Sequence, residues 1–202
     1  MIDDKLAIPL GIAFIFFAIG LLAGWGAYAN WKKGVVVYEY GLTFNDRKGL
    51  QVWNWEDLVS MKSAFICHYT NGIYTSTTHV YMLNNHKNGC LVLSDSFDKV
   101  EELAKLIDER IFSHLYKLAA NRYNTGQAIV SGPVVISKAG ITVSKKAYPW
   151  SEVKEVTINR GVLKVSRKDG GWFSGASAPA STIPNLPVLL VLINQVICLK
   201  TG

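Results

Sequence analysis

Cysteine is scarce in this chain of 202 residues: Cys67, Cys90 and Cys198 are odd in number and form no closely spaced pair. They provide neither a disulfide framework nor a zinc-type ligand spacing, and they fit a reducing compartment. Histidine is nearly as rare, with His68, His79, His86 and His114 scattered among strand-like segments and one helix-like one. Cys67 and His68 adjoin, but neighbours on a strand point to opposite faces, so no metal site and no thiol catalysis is expected. A glycine-rich phosphate loop is missing too, because Asp169-Gly170-Gly171 lacks the neighbours of a P-loop or dinucleotide fingerprint. No recognition helix or aromatic RNA-binding signature is present, which removes nucleic acid as an expected partner. The expectation is a protein with no catalytic residues and no cofactor.

Charge is missing from one long stretch. Leu6 to Asn30 runs 25 positions without a charged residue. As a helix it would reach roughly 37 Å, enough to cross a hydrocarbon core of about 30 Å. Trp25, Tyr28 and Trp31 gather at its far end, and Lys32 and Lys33 follow. Such a pattern predicts a transmembrane anchor over residues 1–33. By the positive-inside rule the N-terminus lies outside and the remainder in the cytoplasm. Ala27-Tyr28-Ala29 fits a signal-peptide cleavage pattern, but the acidic head and the length of the run favour a retained anchor. Gly20 and Gly24 form a GxxxG pair, the spacing that lets two helices approach closely, so they are candidates for helix–helix association.

Acid is scarce in the second half. Residues 34–115 carry 7 basic and 10 acidic side chains, whereas residues 116–202 carry 11 and 3. The net charge of +6 therefore hides two electrostatically different parts.

From Val35 the chain reads as short β segments: Val35 to Tyr40, Leu42 to Phe44, Gln51 to Trp55, Leu58 to Tyr69, Ile73 to Leu83 and Cys90 to Leu93. Asn71-Gly72 between the two longest is a strong hairpin signal. The period then changes, with Val100, Leu103, Ile107, Ile111, Leu115 and Leu118 forming a helical stripe. Asp98 with Glu101 suggests its cap, and Asn124-Thr125-Gly126 its stop. More strands follow at Ala128 to Val130, Pro133 to Ser137, Ile141 to Ser144, Val153 to Asn159 and Val162 to Arg167. An apolar run from Leu186 to Leu199 reads as a packed core helix.

The two halves share a pattern. Gly41-Leu42-Thr43-Phe44 followed by Trp55-Glu56-Asp57-Leu58 matches Gly140-Ile141-Thr142-Val143 followed by Trp150-Ser151-Glu152-Val153. Each glycine is expected to supply the positive φ of a tight connection, and each Trp to pack inward.

At these residues, together with Tyr38, Trp53, Gly132-Pro133, Pro149 and Ile183-Pro184-Asn185, the chain resembles an uncharacterised membrane-associated family with tandem pleckstrin-homology-like modules. The resemblance implies an α+β fold. A transmembrane helix would be followed by two antiparallel β sandwich or barrel modules, residues 34–126 and 127–202, each closed by a C-terminal helix. It also implies an adaptor-like role in the cell membrane and brings no catalytic residues.

The basic second half supplies the candidate binding residues: Lys138, Lys145, Lys146, Lys154, Arg167 and Lys168, with Trp172 as an aromatic beside them. Near anionic headgroups each such cation contributes about 1 kcal/mol. The expected function is non-enzymatic docking onto the lipid bilayer or onto a protein partner, which could be a second copy of the chain. The alternative is a structural accessory subunit of a membrane complex, in which Trp31, Tyr69, Tyr74 and Tyr81 make protein contacts.

Overall fold

The computed structural model describes residues 13–25, 34–46, 49–168 and 175–201. The chain divides into two compact units, Met1–Val52 and Trp53–Gly202.

The first unit holds helix α1 over residues 13–25 and strands β1 (Val35–Val37), β2 (Gly41–Asp46) and β3 (Gly49–Asn54), the last of which runs two residues past its boundary. The strands form one sheet in sequence order, with Val35 opposite Phe44 and Val37 opposite Leu42. The Tyr38 amide donates to the Gly41 carbonyl at 2.7 Å and closes the first turn.

The expected transmembrane anchor is overturned here. Residues 13–25 are helical. Among the described residues no helix is long and apolar enough to cross a membrane. The single-pass topology, the cell-membrane location and the fold class that began with a membrane helix are corrected accordingly. The charge-free run measured composition, whereas spanning requires a long apolar helix. Residues 6–12 and 26–30 of that run, with Trp31, Lys32 and Lys33, lie outside the described residues. In place of that fold class the described residues form three α-helices and four small antiparallel sheets.

In the second unit β4 (Leu58–Thr70), β5 (Ile73–Asn85) and β6 (Cys90–Ser94) form a sheet in sequence order. Helix α2 (Val100–Asn124) packs on them through Val100, Ala104, Ile107, Ile111 and Leu115, close to the predicted stripe. Its start differs from expectation. Lys99, not Asp98, is the N-cap, in a left-handed conformation with no side-chain cap hydrogen bond.

The chain then makes a four-stranded sheet in which β7 (Ile129–Ser131), β8 (Val134–Ile136), β9 (Gly140–Val143) and β10 (Lys146–Pro149) are neighbours in turn. A three-stranded sheet follows, of β11 (Val153–Asn159), β12 (Val162–Arg167) and β13 (Ala176–Pro179). Helix α3 (Leu186–Thr201) buries Leu189, Leu192, Ile193 and Val196 against the core of these strands, which also receives Tyr123 from the end of α2.

Strands β10 and β13 are absent from the sequence reading because Lys-Ala-Tyr-Pro and Ala-Ser-Ala-Pro have little β propensity. Strand β10 exists because Ser144 and Lys145, both at positive φ, fold the chain back on β9.

The paired motifs occupy matching places. Gly41 and Gly140 open β2 and β9, Leu58 and Val153 open β4 and β11, and Trp55 and Trp150 are buried. The reason for Gly140 is corrected: its φ is not positive. A Cβ there would lie 2.1 Å from the Tyr148 carbonyl oxygen, so close approach of β10 demands glycine.

One residue ties the later segment to the earlier sheet. The Met61 amide donates to Asn185 Oδ1 at 2.8 Å, Asn185 Nδ2 donates to the Val59 carbonyl at 3.0 Å, and the Asn185 amide donates to the Met61 carbonyl at 2.8 Å. Asn185 thus pairs with the β4 edge much as a strand would. It sits at φ 52°, which asparagine tolerates better than most residues, and its own carbonyl accepts from Leu189 as α3 begins.

Candidate functional site: an uncharged hairpin

The longest strands, β4 and β5, have 13 residues each. Asn71 and Gly72 both take positive φ, 53° and 81°, the signature of a type I′ turn, and Thr70 pairs with Ile73 across it. The two ends of this hairpin have different surroundings. At its base Leu58 is 1% exposed and Leu83 fully buried, with Met61 beside them. Toward the tip Phe65 is 60% exposed, Tyr69 64% and Ile73 71%.

The tip is uncharged: from Ala64 to Ser76 there is no Asp, Glu, Lys or Arg. One face carries Phe65, Tyr69 and Tyr74. The rings of Tyr69 and Tyr74 meet edge to face at 6.0 Å, and Phe65 stands edge-on to His79 at 5.4 Å. The opposite face carries Ile66, His68 and Ile73, with His68 Nε2 2.8 Å from Thr78 Oγ1.

The backbone edges of the tip are open as well. Among the described residues the only strand paired with β4 is β5, and β5 pairs with β6 from Val80 to Asn84. Among the described residues nothing pairs with the outer edge of β5 from Ile73 to Thr78. An uncharged exposed edge is what proteins normally avoid with lysine, proline or a cover.

The hairpin is pinned below this region by acid. The His79 amide donates to the Asp95 carboxylate, and its ring lies 3.4 Å from Asp95 Oδ1 and 3.2 Å from Glu101 Oε1. Burial raises the Tyr81 hydroxyl above its ordinary pKa, with Glu101 and Asp95 adding to the effect. Tyr81 is buried, so of the tyrosines expected to make protein contacts only Tyr69 and Tyr74 are presented to solvent, while Trp31 lies outside the described residues.

Some of the basic residues are neighbours: Val153, next to Lys154, pairs with Arg167, which precedes Lys168. Lys138 precedes β9 and Lys145 and Lys146 follow it, so a strand of about 13 Å lies between them. Lys138 Nζ sits 4.3 Å from the centre of the Tyr123 ring. Arg167 is engaged by Glu152, Nη2 to Oε2 at 2.7 Å, while its buried Nε has no hydrogen-bond partner. Lys145, Lys146, Lys154 and Lys168 are exposed, and Trp172 lies outside the described residues. Gly20 and Gly24 lie on α1, where a Cβ on either would meet nothing within 4 Å.

Among the described residues no three His, Cys, Asp or Glu side chains converge in a way that could hold a metal ion. Cys67 and His68 do diverge, toward Thr77 and Thr78 on opposite faces of the hairpin. The sequence reading missed the unpaired edges of the tip. Its available signal was the length of β4 and β5 beyond that of their neighbour β6.

A comparison with curated proteins finds no match. A family model matches residues 3–199, nearly the whole chain, and the chain belongs to the family of unknown function (DUF6585).

Proposed function

We propose that this chain is a non-enzymatic docking protein and that the β4–β5 tip receives an extended segment of a protein partner by strand addition. The observation that carries this is the tip itself: two strands with open edges, exposed aromatic and aliphatic side chains, and no charge over 13 residues. Main-chain hydrogen bonds along an open edge supply affinity, and flanking apolar side chains supply selectivity. Exposed aromatics add large contact area at small cost in side-chain entropy.

The pleckstrin-homology-like resemblance belongs to the same reading. Its support is the order of elements in residues 127–202, four strands, then three strands, then a closing helix, an order associated with adaptor modules. Protein is favoured over anionic lipid because the tip lacks charge.

A photo-crosslinking residue at position 69 or 74 of the full chain, in the cells that make it, tests the proposal. The expected result is a discrete adduct with a polypeptide, absent when the residue is placed at exposed Lys117 and lost with Ile66→Lys plus Ile73→Lys. Adducts only with lipid, or equal adducts at 69 and 117, would overturn it.

A further inference from the structure

A second feature lies away from the hairpin tip. Within the Trp53–Gly202 unit a cavity of about 250 Å³ opens between α2, α3, the start of β4 and β7. Leu115, Leu118 and Ala119 of α2 face Val188, Leu189 and Leu192 of α3 across it. Leu118 belongs to the apolar stripe of α2 yet is 44% exposed, because it borders this opening instead of a packed neighbour.

The polar groups lining the cavity are almost all satisfied internally. Ser131 donates to the Pro184 carbonyl, Ser60 Oγ accepts from Asn84 Nδ2 at 3.0 Å, and both ends of the Asn185 amide are used on β4. His86 Nε2 donates to the Glu56 carbonyl at 3.1 Å.

Arg122 is the exception. It lines the cavity from the last turn of α2, and its guanidinium has no ion-pair or hydrogen-bond partner among the described residues. No acidic side chain lines the cavity. The site therefore offers an apolar interior and a single fixed positive charge with donors to spare, while demanding almost nothing else of a ligand. Pockets that bind small molecules have this division, mostly apolar walls with a few polar groups that fix orientation. At about 250 Å³ it is slightly smaller than a drug-sized site and suits a narrow ligand.

We infer that this cavity binds a single-chain anionic amphiphile, its hydrocarbon tail between α2 and α3 and its carboxylate or phosphate head on Arg122. An uncharged hydrocarbon would leave the guanidinium unused, and a compact inorganic anion would leave the apolar walls in water. Because the cavity lies between the two halves of the unit, an occupant would touch both.

The test is calorimetric titration of the full chain with decanoate, with decyl phosphate and with decanol. Saturable binding of decanoate or decyl phosphate is expected, and the better of the two identifies the head group. Arg122→Gln, at an exposed position, should weaken the anionic probes by about ten-fold or more and leave decanol unchanged, since a charge-assisted hydrogen bond is lost. Ala119→Leu, which fills the cavity, should remove binding of all three. If that variant does not fold, the Arg122→Gln comparison still decides. Failure of both anionic probes to bind saturably at sub-millimolar concentration, or equal affinity in wild type and Arg122→Gln, would overturn the inference.

Discussion

The base and the tip of the β4–β5 hairpin are the same two paired strands, yet they live in different environments. At the base, Leu58, Met61 and Leu83 are buried beneath α2 and beside β6. At the tip the same kinds of residue, Phe65, Ile66 and Ile73, stand in water. Strand pairing, then, does not itself create a core. Hydrogen bonds between β4 and β5 satisfy the backbone in both places, whereas burial depends on a third element, and β6 and α2 reach only the base. A two-stranded ribbon is marginal alone, so the tip is held by its turn and by the sheet from which it extends.

That contrast sets the order of expected effects. Leu83→Ala at the base should cost about 3 kcal/mol, because it removes a fully buried side chain from a packed site. Equilibrium denaturation measures it, and a loss below about 1 kcal/mol would mean that the base is no better packed than the tip. Asn185→Ala should cost about 2 kcal/mol, since it leaves the Met61 amide and the Val59 carbonyl without their side-chain partner. If hydrogen exchange at Met61 stays as slow as in wild type, the clamp on the base lies elsewhere.

Tyr69→Ser combined with Tyr74→Ser at the tip should cost less than about 1 kcal/mol, the worth of one edge-to-face ring pair, while removing the crosslinked adduct. A loss as large as that of Leu83→Ala would show that the tip is core and not a docking surface.

The smallest effect is linked to pH. Asp108, on α2, has its carboxyl raised above the ordinary range by burial and, secondarily, by Glu109. A raised carboxylate favours the protonated folded form, so stability is fullest below the ordinary carboxylate value of about 3.9 and declines as pH rises through the elevated one. Asp108→Asn should therefore stabilise the protein at pH 7 and make no difference near pH 3. Denaturation at both values tests this, and a variant that is weaker at pH 7 would assign Asp108 a stabilising partner.

Local signals in the sequence located most of the second unit. Asn71-Gly72 marks a type I′ turn because both residues tolerate positive φ, and the stripe from Val100 to Leu115 marks α2 because a single face of a long helix must be apolar. The segment Leu186 to Leu199 reads as a core helix for the same reason of composition, and it is one. Where such signals failed, the deciding contact was distant. Strands β10 and β13 lack β propensity and form because neighbours supply their ladders. The charge-free run near the N-terminus looked like a membrane span because hydropathy counts residues, whereas among the described residues no helix is long and apolar enough to cross a membrane.

The candidate sites divide in the same way. Which residues are basic could be read directly, but the separation of Lys138 from Lys145 and Lys146 by β9 and the engagement of Arg167 by Glu152 could not.

By itself the sequence determined the strands with strong propensity, the two long helices of the second unit, the hairpin turn and the unequal charge of its halves. Each of these depends on residues within a few positions of one another. Tertiary structure alone decided that Asn185 clamps β4, that Arg122 borders an apolar cavity, and that the hairpin outgrows its cover. Those outcomes depend on which surfaces meet between distant parts of the chain, 124 residues apart for Asn185 and Met61, and no local preference encodes such a meeting.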